Sequence, residues 1–155
     1  MKNFSFLVGI ISCIILLSGC NLSQGIVVSF TIDEVLSLEV FSGGVPARAE
    51  KKTITDAEDI KDIMAALNKL TIERNATDDD RISGGIGNRF LFNLTDENEY
   101  MVIVHQNLLW TTDGVYIVKE IDIGKSEFWN SLDYDPVKVD ESELPFFRWV
   151  ELNTR

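Results

Sequence analysis

Thr55-Asp56-Ala57-Glu58-Asp59-Ile60-Lys61-Asp62-Ile63-Met64-Ala65-Ala66-Leu67-Asn68-Lys69-Leu70 is the stretch that sets the fold class. Thr55 and Glu58 have the spacing of a capping box, in which the two side chains satisfy amides at a helix start reciprocally. Behind them Ile60, Ile63, Met64, Leu67 and Leu70 recur at helical spacing and form one apolar stripe. Asp59, Lys61, Asp62 and Lys69 lie off that stripe. The pattern predicts one long amphipathic helix, over about 56–70, packed on a face of a sheet.

The flanking segments supply the sheet. Ile26 to Ile32 and Val35 to Phe41 are rich in β-branched and aromatic residues, which favour strands. In the second, Leu36, Leu38 and Val40 share one face by strict alternation, and Ser37 and Glu39 the other. Ser42-Gly43-Gly44 is a turn signal, and Ala49 to Ile54 reads as the returning strand with Lys51 on its solvent side. Thr71 to Gly87 is polar and glycine-rich and reads as a long loop. Arg89 to Leu94 and Tyr100 to His105 follow, joined by Thr95-Asp96-Glu97-Asn98-Glu99, with Phe90, Phe92 and Leu94 alternating with Arg89, Leu91 and Asn93. Leu108 to Thr112 and Val115 to Ile121 flank Asp113-Gly114, a favoured type I′ hairpin signal. Ser126 is placed to cap a short second helix over about 126–132, directing Phe128, Trp129 and Leu132 inward. Val137 to Val139 reads as a last strand and Leu144 to Leu152 as an apolar, aromatic tail. Strands, one long helix, more strands and a short helix predict an α+β domain with a mainly antiparallel sheet.

Upstream lies a different kind of segment. Lys2 gives a positive start, and Phe4 to Leu17 form an apolar stretch about 21 Å long as a helix, short of a bilayer core of about 30 Å. A short apolar region followed by small residues reads as a removable signal. Leu17-Ser18-Gly19-Cys20 resembles the lipobox of bacterial lipoproteins. The resemblance implies that residues 1–19 are a signal peptide, that Cys20 becomes the mature N-terminus, and that its thiol carries a diacylglyceryl group. Two acyl chains give a stable membrane anchor where one does not. The expected organisation is therefore residues 1–19 as signal, 20–25 as lipidated tether and 26–155 as a single α+β domain. Asn21 to Gly25 spans at most about 17 Å, which keeps the domain close to the bilayer. The expected location is the extracytoplasmic face of the cell membrane; a Gram-positive plasma membrane and a Gram-negative outer membrane both fit. The Thr55-to-Ile60 helix start, the short hairpins and the Phe128-Trp129 helix are similar in general pattern to small Gram-positive lipoproteins, a likeness that brings no catalytic residues with it.

Composition narrows the chemistry. Cys13 falls within the leader and Cys20 is committed to lipid, so disulfides, a cysteine nucleophile and cysteine-bound zinc drop out together. Loss of Lys2 leaves 13 basic residues against 25 acidic ones, a net charge of −12. Such a surface disfavours nucleic acid and anionic headgroups and suits a cation, a basic peptide or a basic protein partner.

Several constellations are weighed individually. His105 is the sole histidine, and no nucleophile elbow accompanies it, so an edge or hairpin role is expected. Asp78-Asp79-Asp80 offers oxygens to a hard cation but lacks the spaced acids, central glycine and terminal glutamate of an EF-hand loop, and reads as solvated. Asp133, Asp135, Asp140, Glu141 and Glu143 read the same way. Gly84-Gly85-Ile86-Gly87 is followed by a strand and not by the helix a phosphate-cradling loop requires, so it reads as a turn. Phe146, Phe147, Arg148 and Trp149 form a candidate partner surface, since aromatics and arginine are enriched at binding hot spots, with closure of the core as the plainer role. No cofactor, metal site or catalytic set is expected. The functional expectation is a membrane-anchored, non-catalytic binding module. The alternatives are an inhibitor or immunity-type protein acting on an envelope hydrolase or toxin, and a carboxylate-based envelope hydrolase.

Overall fold

The computed structural model describes residues 27–42, 49–80, 87–119, 122–140 and 143–144. Their centre is an antiparallel sheet of eight strands: β1 (Val35–Ser42), β2 (Glu50–Ile54), β3 (Ile72–Asn75), β4 (Asn88–Leu94), β5 (Glu99–His105), β6 (Leu108–Thr111), β7 (Gly114–Val118) and β8 (Val137–Lys138). Across the sheet they run β3-β7-β6-β5-β4-β1-β2-β8. Helix α1 (Ala57–Asn68) connects β2 near one edge to β3 at the other, and so crosses one face of the sheet. A short helix α2 (Ser126–Ser131) follows β7. The domain is thus α+β, as the hydrophobic periodicities require.

The principal core lies between α1 and the facing side of the sheet. Ile60, Ile63, Met64 and Leu67 of α1, with Leu70 just beyond it, meet Leu38, Val40, Ile54, Phe90, Phe92, Val102, Val104, Leu109 and Val118. Full burial of each large aliphatic side chain contributes about 1.5–3 kcal/mol, which is why this stripe dictates where the helix lies. The opposite side of the sheet carries a smaller cluster, in which Phe41, Leu91, Met101 and Ile103 pack with Ala49, Val139, Leu144 and the half-buried Trp110.

Several local expectations are corrected. Helix α1 ends earlier than the predicted 70, and its cap is Asp56 rather than Thr55: one Asp56 carboxylate oxygen accepts from the amides of Glu58 at 2.9 Å and Asp59 at 3.2 Å. Ser126 is the first residue inside α2, and Lys125 takes the cap position without capping the helix through its side chain, whose ammonium bonds Asp122 at 2.6 Å. Ile26 to Ile32 is not a strand within its described part, because the Val27 and Val28 amides bond the Asn68 side chain instead of a neighbouring strand. Part of the predicted loop between Thr71 and Gly87 is β3, a short charged strand whose backbone pairs with β7; only Ile72 has the apolar side chain a pattern search would register. Such short, charged edge strands resist pairing with other chains.

Leu36 is the clearest failure of alternation. A register shift between Val35 and Ser37 interrupts the β1–β4 ladder, and Leu36 is 62% exposed while Leu38 and Val40 are fully buried. A β-bulge inserts one residue and so breaks the period of two on which the expectation rests.

The hairpin turns also differ from expectation. In the β6–β7 turn the corners are Thr112 and Asp113, between paired Thr111 and Gly114, and neither has positive φ; this is not a type I′ turn at Asp113-Gly114. A Cβ at Gly114 would lie 3.0 Å from the Tyr116 hydroxyl, so a larger residue there would require the Tyr116 side chain to give way. Positive φ occurs instead at Glu97 (67°) in the β4–β5 turn and at Gln106 (52°) in the β5–β6 turn.

Candidate functional site

Of the residues singled out from sequence, Cys20 and the Phe146, Phe147, Arg148, Trp149 surface lie outside the described residues, as do Gly84, Gly85 and Ile86. Gly87 is described, and a Cβ there would come within 2.4 Å of the Val104 carbonyl oxygen and 3.0 Å of the His105 Cβ. It is the point where the chain presses onto the end of β5 before entering β4. His105 closes β5, a strand interior to the sheet, and pairs with Leu108 beside the β5–β6 turn, so of the edge and hairpin roles expected it takes the hairpin one.

The acidic residues that look free in the sequence carry specific structural duties. In the single turn Asp78–Asp80, the Asp80 carboxylate accepts from both Arg74 guanidinium nitrogens at 2.7 Å, and one of its oxygens also accepts from the Thr77 amide and hydroxyl. These donors hold its carboxyl well below the usual carboxylate range, the Arg74 hydrogen bonds being the largest cause. An oxygen already shared among an arginine, an amide and a hydroxyl is a poor cation ligand. Among the described residues no group of three or more His, Cys, Asp or Glu side chains is arranged to hold a metal ion. Asp59 on α1 accepts from the Tyr134 hydroxyl at 2.5 Å, joining the helix to the segment after α2. That bond, with a small desolvation contribution, pushes the Tyr134 phenol up to about 12. Glu39 and Lys51 pair at 2.8 Å across β1 and β2, with Glu143 at 3.7 Å from the same ammonium.

Three polar residues that sequence reasoning passed over do more than these. Lys52 is 6% exposed, and its ammonium donates to the carbonyls of Trp129 at 3.0 Å and Leu132 at 2.6 Å, so it caps the end of α2 from inside the core. Its parity was the available signal: it alternates with Lys51 and shares the inward face with Ile54. Asn88 is fully buried and donates to the carbonyls of Ile123 and Lys125, holding the turn ahead of α2 against β4. Asn68 lies four residues beyond Met64 and is therefore in phase with the apolar stripe, the mark of a polar residue turned toward packed neighbours.

Asn68 and Tyr100 together build the most specific polar arrangement in the described structure. The Asn68 Oδ1 accepts from the amides of Val27 at 3.0 Å and Val28 at 2.8 Å, and its Nδ2 donates to the Val28 carbonyl at 3.1 Å. On the sheet side, the Tyr100 hydroxyl lies 2.9 Å from the Val27 carbonyl and 2.8 Å from Asp113 Oδ2, and donates its one proton to either acceptor. Burial, then the hydrogen bond to Asp113, raises the Tyr100 pKa well above an ordinary phenol, so the hydroxyl remains a donor throughout the physiological range. Phe30 adds edge-to-face contacts with Phe92 and Tyr100, at centroid separations of 5.2 and 5.3 Å. The entering chain is thereby held by amides, a carbonyl and an aromatic ring at one end of the sheet.

No helix among the described residues is long and apolar enough to cross a membrane. The class defined is an α+β domain of one eight-stranded antiparallel sheet with a crossing helix. Comparison with known proteins adds no relative: no family model, curated protein or solved structure matches the chain.

Proposed function

We propose that the chain is a membrane-anchored extracytoplasmic lipoprotein whose folded domain is a non-catalytic binding module. The observation that carries the anchoring is Leu17-Ser18-Gly19-Cys20 behind a short apolar stretch. The binding role is supported by the duties of the carboxylates. Asp56, Asp59, Asp80 and Glu39 are each engaged by amides, a phenol, a guanidinium or an ammonium that hold the fold together. The net charge of −12 left after loss of Lys2 suits a basic protein partner, and opposite charge speeds encounter. This makes an inhibitor or immunity-type role against a basic envelope hydrolase or toxin the most specific form of the reading.

The test is fractionation of cells making the tagged full-length chain or its Cys20→Ala variant. Native protein is expected in the membrane fraction with its N-terminus at Cys20 and the added mass of acyl groups. Cys20→Ala is expected to remain unacylated and uncut before residue 20. A native chain with a free Cys20 thiol overturns the anchor. Turnover of an envelope substrate by the purified domain, abolished by one point substitution, overturns the binding role. Crosslinking in intact cells then identifies the partner, and its capture is expected to weaken steeply with salt.

A further inference from the structure

Resting on the lipoprotein reading, we infer that the anchored domain stands with one defined end toward the bilayer: the end carrying the β4–β5 and β6–β7 turns. Val27 is where the covalent path from Cys20 joins the fold, and its position is not free. The Asn68 side chain and the Tyr100 hydroxyl hold Val27 and Val28, and Asp113 of the β6–β7 turn bonds the same hydroxyl. Tyr100 stands at the start of β5, one residue after the β4–β5 turn. The chain therefore enters beside these two turns.

Length converts this attachment into an orientation. From Cys20 to Val27 the chain reaches at most about 25 Å, at up to 3.6 Å per residue. A compact domain of about 130 residues has a radius of gyration near 14 Å, and so measures about 36 Å across. The tether is shorter than the domain is wide. The β5–β6 turn at Gln106 and Asn107 follows His105, which lies about 17 Å along β5 from Tyr100. Bringing that far turn to the bilayer would require the tether to spend most of its reach running back along the domain, a near-extended state that costs chain entropy which the near-end orientation does not.

The near end is also distinctive chemically. Asp33, Glu34, Asp96, Glu97, Glu99 and Asp113 are all exposed there. Their charge is repelled by anionic headgroups, the converse of the attraction that basic segments show. The domain is therefore held close by its lipid without adhering, and the far end, with the Gln106-Asn107 turn and the Asp122–Gly124 turn bonded to Asn88, is presented outward to a partner.

The test uses the full-length lipidated protein in phosphatidylcholine vesicles with nitroxide on the headgroups. Because Cys20 carries lipid, single cysteines added elsewhere label uniquely. One pair is Thr95→Cys and Asn107→Cys; the second is Asp113→Cys and Lys119→Cys, flanking β7. Quenching is expected to be several-fold stronger at 95 and 113 than at 107 and 119. Equal quenching within both pairs, or the reverse order, overturns the orientation even though the protein is anchored. Failure of the protein to float with vesicles, with no acyl mass on Cys20, is the separate result that overturns the lipoprotein reading and the orientation with it.

Discussion

The Lys52 ammonium lies 4.8 Å from the Trp129 ring centroid and 3.0 Å from the carbonyl oxygen of the same residue. One buried cation thus binds both the side chain and the backbone of α2, and a further bond to the Leu132 carbonyl completes its cap. Replacing it with methionine keeps the length and apolar stem but removes the charged donor, leaving the Trp129 and Leu132 carbonyls only the backbone amides of Leu132 and Tyr134. We expect Lys52→Met to cost about 2–3 kcal/mol, the scale of lost hydrogen bonds from a charged donor plus a lost cation–π contact. The urea midpoint measures this. A change under 0.5 kcal/mol, as an order-of-magnitude threshold for a neutral substitution, would remove Lys52 from the framework.

Asp56, and not Thr55, closes the start of α1. Asp56→Ala is therefore expected to cost about 1 kcal/mol, the usual loss for an N-cap, while Thr55→Ala costs only a few tenths. Thermal denaturation of the two variants side by side decides between Asp56 and the Thr55 cap that the sequence spacing suggests. The reverse ranking would contradict the observed cap geometry.

Glu97 and Gln106 hold left-handed backbone, with φ of 67° and 52°, in two hairpin turns where glycine relieves steric strain. Glu97→Gly and Gln106→Gly are each expected to raise stability by about 0.5–1 kcal/mol, after allowance for the greater freedom glycine gives the unfolded chain. Chemical denaturation at neutral pH checks both, and destabilisation by either would show that its side chain contributes more than its backbone strain costs.

Tyr134 titrates high because its hydroxyl donates to the Asp59 carboxylate. Its folded pKa, about 12, lies above the ordinary phenol value of 10.0, so its contribution to stability is fully present below pH 10 and declines as pH rises through 12. Phenolate absorbance of the folded protein should show one of the three tyrosines ionising at lower pH in Asp59→Asn than in the native chain. An unchanged titration in that variant would exclude the Asp59 bond as the cause.

The sequence alone determined those features that repeat along the chain. The Ile60-to-Leu67 stripe specifies a helix with one buried side, and the alternation of Phe90, Phe92 and Leu94 with Arg89, Leu91 and Asn93 specifies a strand with two unlike faces, because those periods follow from backbone geometry. The leader residues likewise determine the expectation of a lipid on Cys20, since that chemistry is read from a local motif. Tertiary structure decided what depends on neighbours distant in the chain. The bulge that turns Leu36 outward comes from the β1–β4 register, and β3 exists because β7 offers it a backbone partner. Lys52 is tolerated in the core because the carbonyls of Trp129 and Leu132, about eighty residues away, converge on its ammonium. Asn68 becomes a clamp only when packing brings Val27 and Val28 to it across forty residues. Local periodicity carries no record of such meetings, because a hydrogen bond over that separation is selected by the whole packed arrangement and not by the few residues around either end.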